Sequence, residues 1–136
     1  MFNLSIVTPE QIFYDGEIYS LIAPGIEGYL GVLTDHAPLI TAVTPGKVTV
    51  QDKDRKELTM SVTYGFLEVS GNHATLLVDA AEFASDIDAD RAREAFKRAR
   101  QRLADKVGSI DLPRARQAVE RARNRLRISS SFDHTS

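Results

Sequence analysis

Cysteine is absent from the 136-residue sequence, which excludes disulfide bonds and thiolate metal sites. Histidine occurs only three times, at positions too far apart to show the spacing of a metal site. These are His36, His73 and His134. Tryptophan is also absent, and we find neither a convergent acid–base pair nor a glycine-rich phosphate loop. An enzyme or a sugar-binding sandwich is therefore a weak interpretation of this chain.

Long apolar runs are missing as well. No segment approaches the roughly 20 apolar residues that a transmembrane helix needs, and no charged-then-apolar signal peptide precedes the first strand-like run. We therefore expect neither a membrane span nor a secretory signal. The length suits one ordinary domain or two small ones.

The charges are unevenly distributed along the chain. Residues 1–84 hold 4 Lys and Arg residues against 11 Asp and Glu residues, a net charge of −7, whereas residues 85–136 hold 13 against 8, a net charge of +5. Such asymmetry favours a basic arm that meets an acidic partner, a phosphate or the acidic first half. A solvated helix face with ion pairs would explain the same composition.

The first part of the chain has the pattern of an antiparallel β-sandwich. Short apolar runs are interrupted by turn residues about every 8–12 positions, which predicts about ten strands within residues 1–84. We expect separate strands at residues 11–14 and 17–23, divided by Asp15-Gly16. The pair Gly71-Asn72 predicts a tight hairpin, and a change of composition at residues 80–85 indicates a linker.

The second part, residues 85–136, contains the same nine-residue motif twice. The pattern I-D-x-x-R-A-R-x-A begins at Ile87 and again at Ile110, and each copy opens a run of strong helix formers. In each copy the Asp suits an N-cap and the preceding Ile suits a hydrophobic staple. We predict helices at about 88–107 and 111–128, folded as an antiparallel hairpin around Gly108-Ser109, with a fraying tail from residue 129.

Small apolar residues recur at helical spacing on both predicted helices. Alanine lets the backbones approach closely but buries little area, so the seam should be weakly held and the hairpin able to open. The predicted seam consists of Ala92, Ala95, Phe96, Ala99, Leu103 and Val107 on the first helix, and Ala115, Val119, Ala122 and Leu126 on the second.

The order and spacing of several short motifs resemble the epsilon-subunit family of the F-type ATP synthases over essentially the whole chain. The matching segments are Val7-Thr8-Pro9, residues 25–33, His36-Ala37-Pro38-Leu39, residues 65–69 and Ile87-Asp88-x-x-Arg91-Ala92.

This resemblance implies a non-catalytic central-stalk subunit of the rotor that couples gamma to the c-ring during proton-driven ATP synthesis. The sandwich would bind gamma and the c-ring. The hairpin would move between a compact state and an extended state that reaches the alpha/beta catalytic head and inhibits ATP hydrolysis. The resemblance also implies a peripheral position, held only through the complex, on the cytoplasmic face of the bacterial plasma membrane, with a thylakoid membrane as the alternative. It implies no required cofactor.

The resemblance further implies a regulatory ATP site. Arginines from both helices would converge on the phosphates, a small alanine would make room for the base, and an aspartate would accept from its amino group. The matching positions are Glu82, Ile87, Asp88, Arg91, Ala92, Arg98, Arg121 and Arg125. The alternative is that the motif is only a helix start, because the same letters recur at Ile110.

Two further contact sets follow from the resemblance. Tyr29 and His36 would face the c-ring and gamma, although the common family residue at Tyr29 is a glutamate. The alternative to a partner contact is a structural role, in which both are turn or core residues and His36 caps the Ala37-Pro38 bend. A basic set on the second helix would contact the beta subunit, or else serve solubility and intrahelical ion pairing with Glu120. Its members are Arg114, Arg116, Arg123 and Arg127.

The arginines leave a second function class open, a basic helical-hairpin adaptor or nucleic-acid-binding module. Single-stranded nucleic acid is usually bound on a surface of stacking aromatics. Phe96, which we expect to be buried, is the only aromatic residue between positions 88 and 128. The acidic first half would also repel a phosphate backbone, so no nucleic-acid partner is expected.

Overall fold

The computed structural model describes residues 1–135, and it describes side chains as far as residue 129. The chain packs as two compact units that divide between Phe83 and Ala84. The first unit is built from strands and the second from helices, which confirms the predicted fold class.

Nine strands form the sheet structure of the first unit within the described residues, close to the predicted number. They are β1 (Phe2–Val7), β2 (Ile12–Gly25), β3 (Gly28–Val32), β4 (Leu39–Val43), β5 (Gly46–Asp52), β6 (Glu57–Val62), β7 (Gly65–Ser70), β8 (His73–Val78) and β9 (Ala81–Phe83). The neighbour order is β1-β8-β7-β4-β2-β5-β6-β9, with β3 also beside β2 and β1 also paired to β2. The pairings are antiparallel except between β1 and β8.

Strand β2 corrects one sequence prediction. It runs without a break through Asp15-Gly16, where the sequence predicted a turn between two shorter strands. Asp15 pairs with Ser5 and Gly16 with Leu4 in a continuous antiparallel ladder with β1. The ladder with β1 holds this stretch of backbone extended, and this tertiary pairing overrides the preference of both residues for a turn.

The predicted linker at residues 80–85 is likewise more ordered than expected. Its middle is strand β9, which pairs antiparallel with β6 through Met60 opposite Phe83 and Val62 opposite Ala81. A 3-10 turn, Ala84–Asp86, follows. The Phe83 ring also packs against Phe13, with 4.8 Å between the ring centroids. The sandwich therefore continues to the last residue of the first unit.

The core of the sandwich consists of buried apolar side chains that alternate with solvent-facing ones along the strands. On β1, for example, Leu4 and Ile6 are fully buried while the alternating residues Asn3 and Ser5 are not, as the alternation in the sequence predicted. The buried set is Phe2, Leu4, Ile6, Ile18, Leu21, Ala23, Val32, Val43, Val48, Val50, Met60, Val62, Leu67, Val69, Ala74, Leu76 and Val78.

The second unit is an antiparallel pair of helices, α1 (Ala89–Asp105) and α2 (Leu112–Thr135). Helix α1 ends two residues before its predicted end, so Val107 lies outside it and is 75% exposed instead of in the seam. Helix α2 extends to Thr135 rather than ending at 128. The expected fraying from residue 129 is not tested, because the side chains from residue 130 onward and all of residue 136 lie outside the described part of the chain. Among the described helices, none combines the length and the apolar character needed to cross a membrane.

Gly65 begins β7 at a position where the structure leaves no room for a side chain. A Cβ there would lie 1.8 Å from the backbone oxygen of Leu77 on β8. We expect Gly65→Ala to lower the free energy of unfolding by more than about 2 kcal/mol, because the two strands must move apart. Urea unfolding followed by circular dichroism measures this change.

Gly31→Ala on β3 is the matched control, since no described atom lies within 4 Å of a Cβ built at Gly31. Its effect should stay within about 0.5 kcal/mol. Equal unfolding midpoints for the two variants would contradict the close packing of β7 against β8.

Candidate functional site

Asp88 is the N-cap of helix α1. Its backbone is extended, with φ −79° and ψ 110°, and its Oδ1 accepts hydrogen bonds from the backbone N–H of Asp90 at 3.0 Å and of Arg91 at 3.2 Å. The backbone N–H of Ala92 closes the first turn on the Asp88 carbonyl at 2.9 Å. The predicted capping role of Asp88 is therefore confirmed, and it uses one carboxylate oxygen.

Ile87 and Ala92 belong to a small apolar cluster at the base of the hairpin. We call this the base cluster; it consists of Ala84, Ile87, Ala92 and Ile128, with Leu126 packed against them. Ala92 is 1% exposed and Ile128 3% exposed, so the start of α1 is held against α2. The Ile and the Ala of the motif thus have a packing role that needs no ligand.

The second copy of the motif does not repeat this arrangement. Ile110 is 96% exposed, so the staple predicted for it is not formed. The carboxylate of Asp111 lies 3.5 Å from Lys106 Nζ and makes no N-cap among the described contacts, although the Asp111 carbonyl accepts from Ala115 at 3.0 Å. The turn through Gly108, at φ 84°, carries Ile110 to the tip of the hairpin, where none of the described side chains covers it.

The four predicted phosphate-binding arginines lie on both helices of the second unit. Arg91 and Arg98 are exposed on α1, and Arg121 and Arg125 are half-buried on α2. The Arg123 guanidinium lies 5.8 Å from the centre of the Phe96 ring, which sets the level at which the two helices face each other. At that register Arg98 lies opposite Arg121, and Arg91 is within about one helical turn of the level of Arg125. Each helix therefore contributes two of the four arginines to the same stretch of the hairpin.

Phe96 is half-buried rather than fully buried as predicted. Two guanidinium groups lie near its ring, that of Arg100 at 5.6 Å and that of Arg123 at 5.8 Å from the ring centre. Such cation–π contacts use the ring face that a base would need for stacking. The structure thus offers little support for a nucleic-acid interface at this residue.

The remaining candidates have separate locations. Glu82 belongs to the first unit, where it lies on β9 opposite Ser61. The side chains predicted to contact the beta subunit are all exposed on α2. These are Arg114, Arg116, Arg123 and Arg127.

Tyr29 lies on β3 opposite Pro24 and is 60% exposed. Its hydroxyl oxygen accepts a hydrogen bond from the backbone N–H of Lys47 at 3.0 Å. A Cβ at Gly46 would lie 2.4 Å from Pro24 and 2.9 Å from this hydroxyl. Tyr29 therefore covers the start of β5, which is a structural role for a residue that also presents an exposed ring edge.

His36 lies in the loop between β3 and β4 and is half-buried. Its Nδ1 is 2.6 Å from the carbonyl oxygen of Ala37. A carbonyl can only accept, so Nδ1 carries the proton and donates it. The geometry agrees with the interpretation of His36 as a cap of the Ala37-Pro38 bend, and it leaves Nε2 as the acceptor of the neutral ring.

Two family models match consecutive parts of the chain and together cover residues 1–130. Residues 1–84 match the β-sandwich domain of the ATP synthase delta/epsilon chain, and residues 85–130 match the long α-helix domain of the same chain. The chain belongs to the ATP synthase delta/epsilon chain family. The resemblance predicted from the motifs is confirmed, and with it the interpretation of the chain as a non-catalytic subunit rather than an enzyme in its own right.

Curated relatives agree with this family. An ATP synthase epsilon chain of Moorella thermoacetica is 46% identical over 104 residues, covering 76% of this chain and 78% of the relative. The epsilon chain of Protochlamydia amoebophila is 42% identical over 103 residues, covering 76% and 70%. That of Brevibacillus brevis is 39% identical over 104 residues, covering 76% and 79%.

Solved structures show the same fold at lower sequence identity. A chain of the Euglena gracilis mitochondrial ATP synthase, from a structure of its OSCP/F1/c-ring, matches with a TM-score of 0.75 at 18% identity, covering 95% of this chain and 79% of that one. A chain of the Tetrahymena thermophila mitochondrial ATP synthase, from its central stalk and c-ring, matches with a TM-score of 0.53 at 18% identity, covering 65% and 70%.

Sequence reasoning missed one pair of residues in this family member, Asp35 and Asn72. They lie 37 positions apart and exchange two hydrogen bonds. The available signal was weak. Gly71-Asn72 predicts a tight hairpin, but nothing in the local sequence around Asp35 or Asn72 predicts that the two residues meet.

Asp88→Ala should weaken the start of α1. The change removes the acceptor of two backbone N–H groups, which costs about 1 kcal/mol at an N-cap. We expect hydrogen exchange of the amides in the first turn of α1 to become about fivefold faster. Exchange measured by NMR on the full chain tests this.

Asp111→Ala is the control from the second copy of the motif. Among the described residues its carboxylate pairs with Lys106, whose side chain is 45% exposed, and such a surface pair contributes little. Equal acceleration of exchange at the starts of both helices would contradict the assignment of different roles to the two aspartates.

Proposed function

We propose that this chain is a rotor subunit in the central stalk of an F-type ATP synthase, where the sandwich couples gamma to the c-ring and the hairpin inhibits ATP hydrolysis. The observation that carries the proposal is the division of the chain at Phe83 and Ala84 into a unit with its own apolar core and a basic helical hairpin. The family match to both domains supports it. Two separately packed units suit two separate tasks.

An exposed apolar surface on the sandwich supports the binding of gamma. Phe66 on β7 and Leu77 on β8 are directly paired and therefore point to the same side of the sheet. Ile40 on β4 is a diagonal neighbour of Phe66 on that side, because Ala42 pairs with Phe66. The three side chains are 73%, 58% and 49% exposed for Ile40, Phe66 and Leu77 respectively. A cluster of large exposed apolar side chains is typical of a protein interface.

The seam of the hairpin supports a mobile inhibitor. The buried residues between the helices include Ala92, Ala99 and Val119, which together remove little apolar area from water. Opening the hairpin therefore costs little. In the extended state the exposed arginines of α2 would face the acidic surface of the beta subunit in the catalytic head, through contacts that are weak singly and sensitive to salt.

Removal of the residues after Ala84 tests the inhibitory role. In a reconstituted ATP synthase, the truncated chain should still join gamma to the c-ring, whereas the inhibition of ATP hydrolysis by the full chain should be lost. Steady-state ATP hydrolysis, measured beside proton-driven ATP synthesis, separates the two effects. Inhibition that survives the truncation would contradict a role of the hairpin, and loss of assembly would contradict the division of tasks.

Regulation by ATP is the finer part of this proposal. Guanidinium groups from both helices of the hairpin would hold the phosphates, and the second carboxylate oxygen of Asp88 would accept from the base. Ala92 is buried in the base cluster, so in the compact hairpin it would support the site from beneath rather than line it. The bound nucleotide would then connect α1 to α2 and favour the compact state.

Calorimetric titration of ATP into the purified chain, with and without magnesium, tests this site. We expect binding that is lost in Arg91→Ala and Arg125→Ala and kept in Lys97→Ala, a control cation of α1 that pairs with Glu94 at 3.8 Å. At 100 times its dissociation constant, ATP would favour the compact hairpin by about 2.7 kcal/mol. Absence of binding at millimolar ATP would leave the motif with its capping and packing roles alone.

The family also supports a location for the complex. The curated relatives named above are bacterial, and the proposed contacts reach a membrane only through the c-ring. The chain would therefore be peripheral, on the cytoplasmic face of the bacterial plasma membrane.

A further inference from the structure

Asp35 and Asn72 join two loops at one end of the sandwich through reciprocal hydrogen bonds. The backbone N–H of Asp35 donates to Asn72 Oδ1 at 2.8 Å, and Asn72 Nδ2 donates to Asp35 Oδ1 at 3.1 Å. We call this pair the loop latch. It connects the six-residue loop 33–38, between β3 and β4, to the two-residue turn between β7 and β8.

Both residues of the loop latch have left-handed backbone conformations. Asp35 has φ 65° and Asn72 has φ 57°. Outside glycine such a conformation is sterically disfavoured, although Asn and Asp tolerate it better than other residues. The conformations persist because the surrounding bonds determine them, and the latch supplies two of those bonds.

The turn that carries Asn72 is itself firmly held. Gly71, at φ 56°, and Asn72 form a two-residue turn that joins the paired residues Ser70 and His73, as expected for a tight hairpin. The Asn72 carbonyl also accepts from the backbone N–H of Asn3 on β1 at 3.0 Å. The latch therefore ties the loop 33–38 to a rigid part of the sheet.

The loop 33–38 presents groups suited to a partner. Leu33 is 64% exposed, and the Nδ1 bond of His36 to the Ala37 carbonyl orients the imidazole ring, so that Nε2 is the ring's acceptor nitrogen in the neutral form. A loop that is already ordered avoids the entropy cost of ordering when it binds.

We propose that Asp35 and Asn72 are positioning residues that hold Leu33 and His36 ready for contact with the polar loops of the c-ring. This proposal rests on the proposed function of the sandwich, because it presumes contact with the c-ring. The two residues of the latch act on that contact without touching the partner. The latch is expected to raise the affinity for the c-ring and to leave the affinity for gamma unchanged.

Four variants separate a geometric latch from a charge contact and from a general structural role. Asn72→Gly keeps a turn that glycine adopts without strain and removes only the latch side chain. Asp35→Asn keeps an acceptor for Asn72 and removes the charge. Asn72→Asp places two carboxylates against each other. In the double variant Asp35→Asn with Asn72→Asp, the amide at position 35 donates to the carboxylate at position 72, which also accepts from the backbone N–H, so both bonds are restored with reversed roles.

The affinity of the full-length chain is measured for a detergent-solubilised gamma–c-ring assembly and, separately, for gamma alone. We expect Asn72→Gly and Asn72→Asp to weaken binding to the assembly about tenfold, the cost of ordering one or two more side chains. Asp35→Asn and the double variant should bind within about twofold of the wild type. Binding to gamma alone should be the same for all five proteins.

The outcomes distinguish this proposal from the proposed function. If Asn72→Gly binds the assembly as tightly as the wild type does, the latch proposal is overturned and the proposed function is not affected. The same holds for equal weakening toward gamma, which would indicate a general structural role, and for failure of the double variant to restore binding. Loss of binding in Asp35→Asn would assign the carboxylate to direct contact instead. A wild-type chain that binds neither gamma nor the assembly would contradict the proposed function itself.

Discussion

Pairing along strand β2 is the constraint on which the rest of the sandwich depends. Its 14 residues form a ladder with β1 over the first half, and with β3 and β5 over the second half. One continuous strand thus connects the two sets of strands that enclose the core, and Ile18 and Leu21 lie fully buried along it. A break at Asp15-Gly16 would leave the backbone groups of the β1 ladder unpaired. The positions of the loop 33–38 and of Tyr29 on β3 follow from this arrangement.

The hairpin is stabilised in a different way. Its helices approach through alanines, its base is closed by the base cluster, and its first helix begins with the Asp88 cap. Each of these contributions is small, whereas the sandwich has a core of seventeen apolar side chains. The difference in packing agrees with the proposal that the hairpin changes its conformation while the sandwich keeps its own.

The two copies of the same motif show that local sequence alone does not decide whether a helix start is capped and packed. Both copies contain the Ile-Asp pair that predicts a capped helix, and only the first becomes one. At Ile87 a neighbouring helix supplies Ile128 as a packing partner, whereas at Ile110 the chain turns at the tip of the hairpin and the isoleucine stays exposed. The loop latch is a similar case, because each of its residues belongs to an ordinary turn and only the fold brings the two turns together.

The sequence by itself determined the family, the succession of a β-sandwich and a helical hairpin, the alternation of buried residues along the strands and the cap at Asp88. These features depend on residues close together in the chain, on period and composition, and on motif order. The tertiary structure alone decided the continuity of β2, the strand β9 in the expected linker, the roles of Tyr29 and His36, and the bonds between Asp35 and Asn72. Each of these depends on which backbone groups and side chains meet across the fold, and contacts between distant residues leave no local pattern in one sequence.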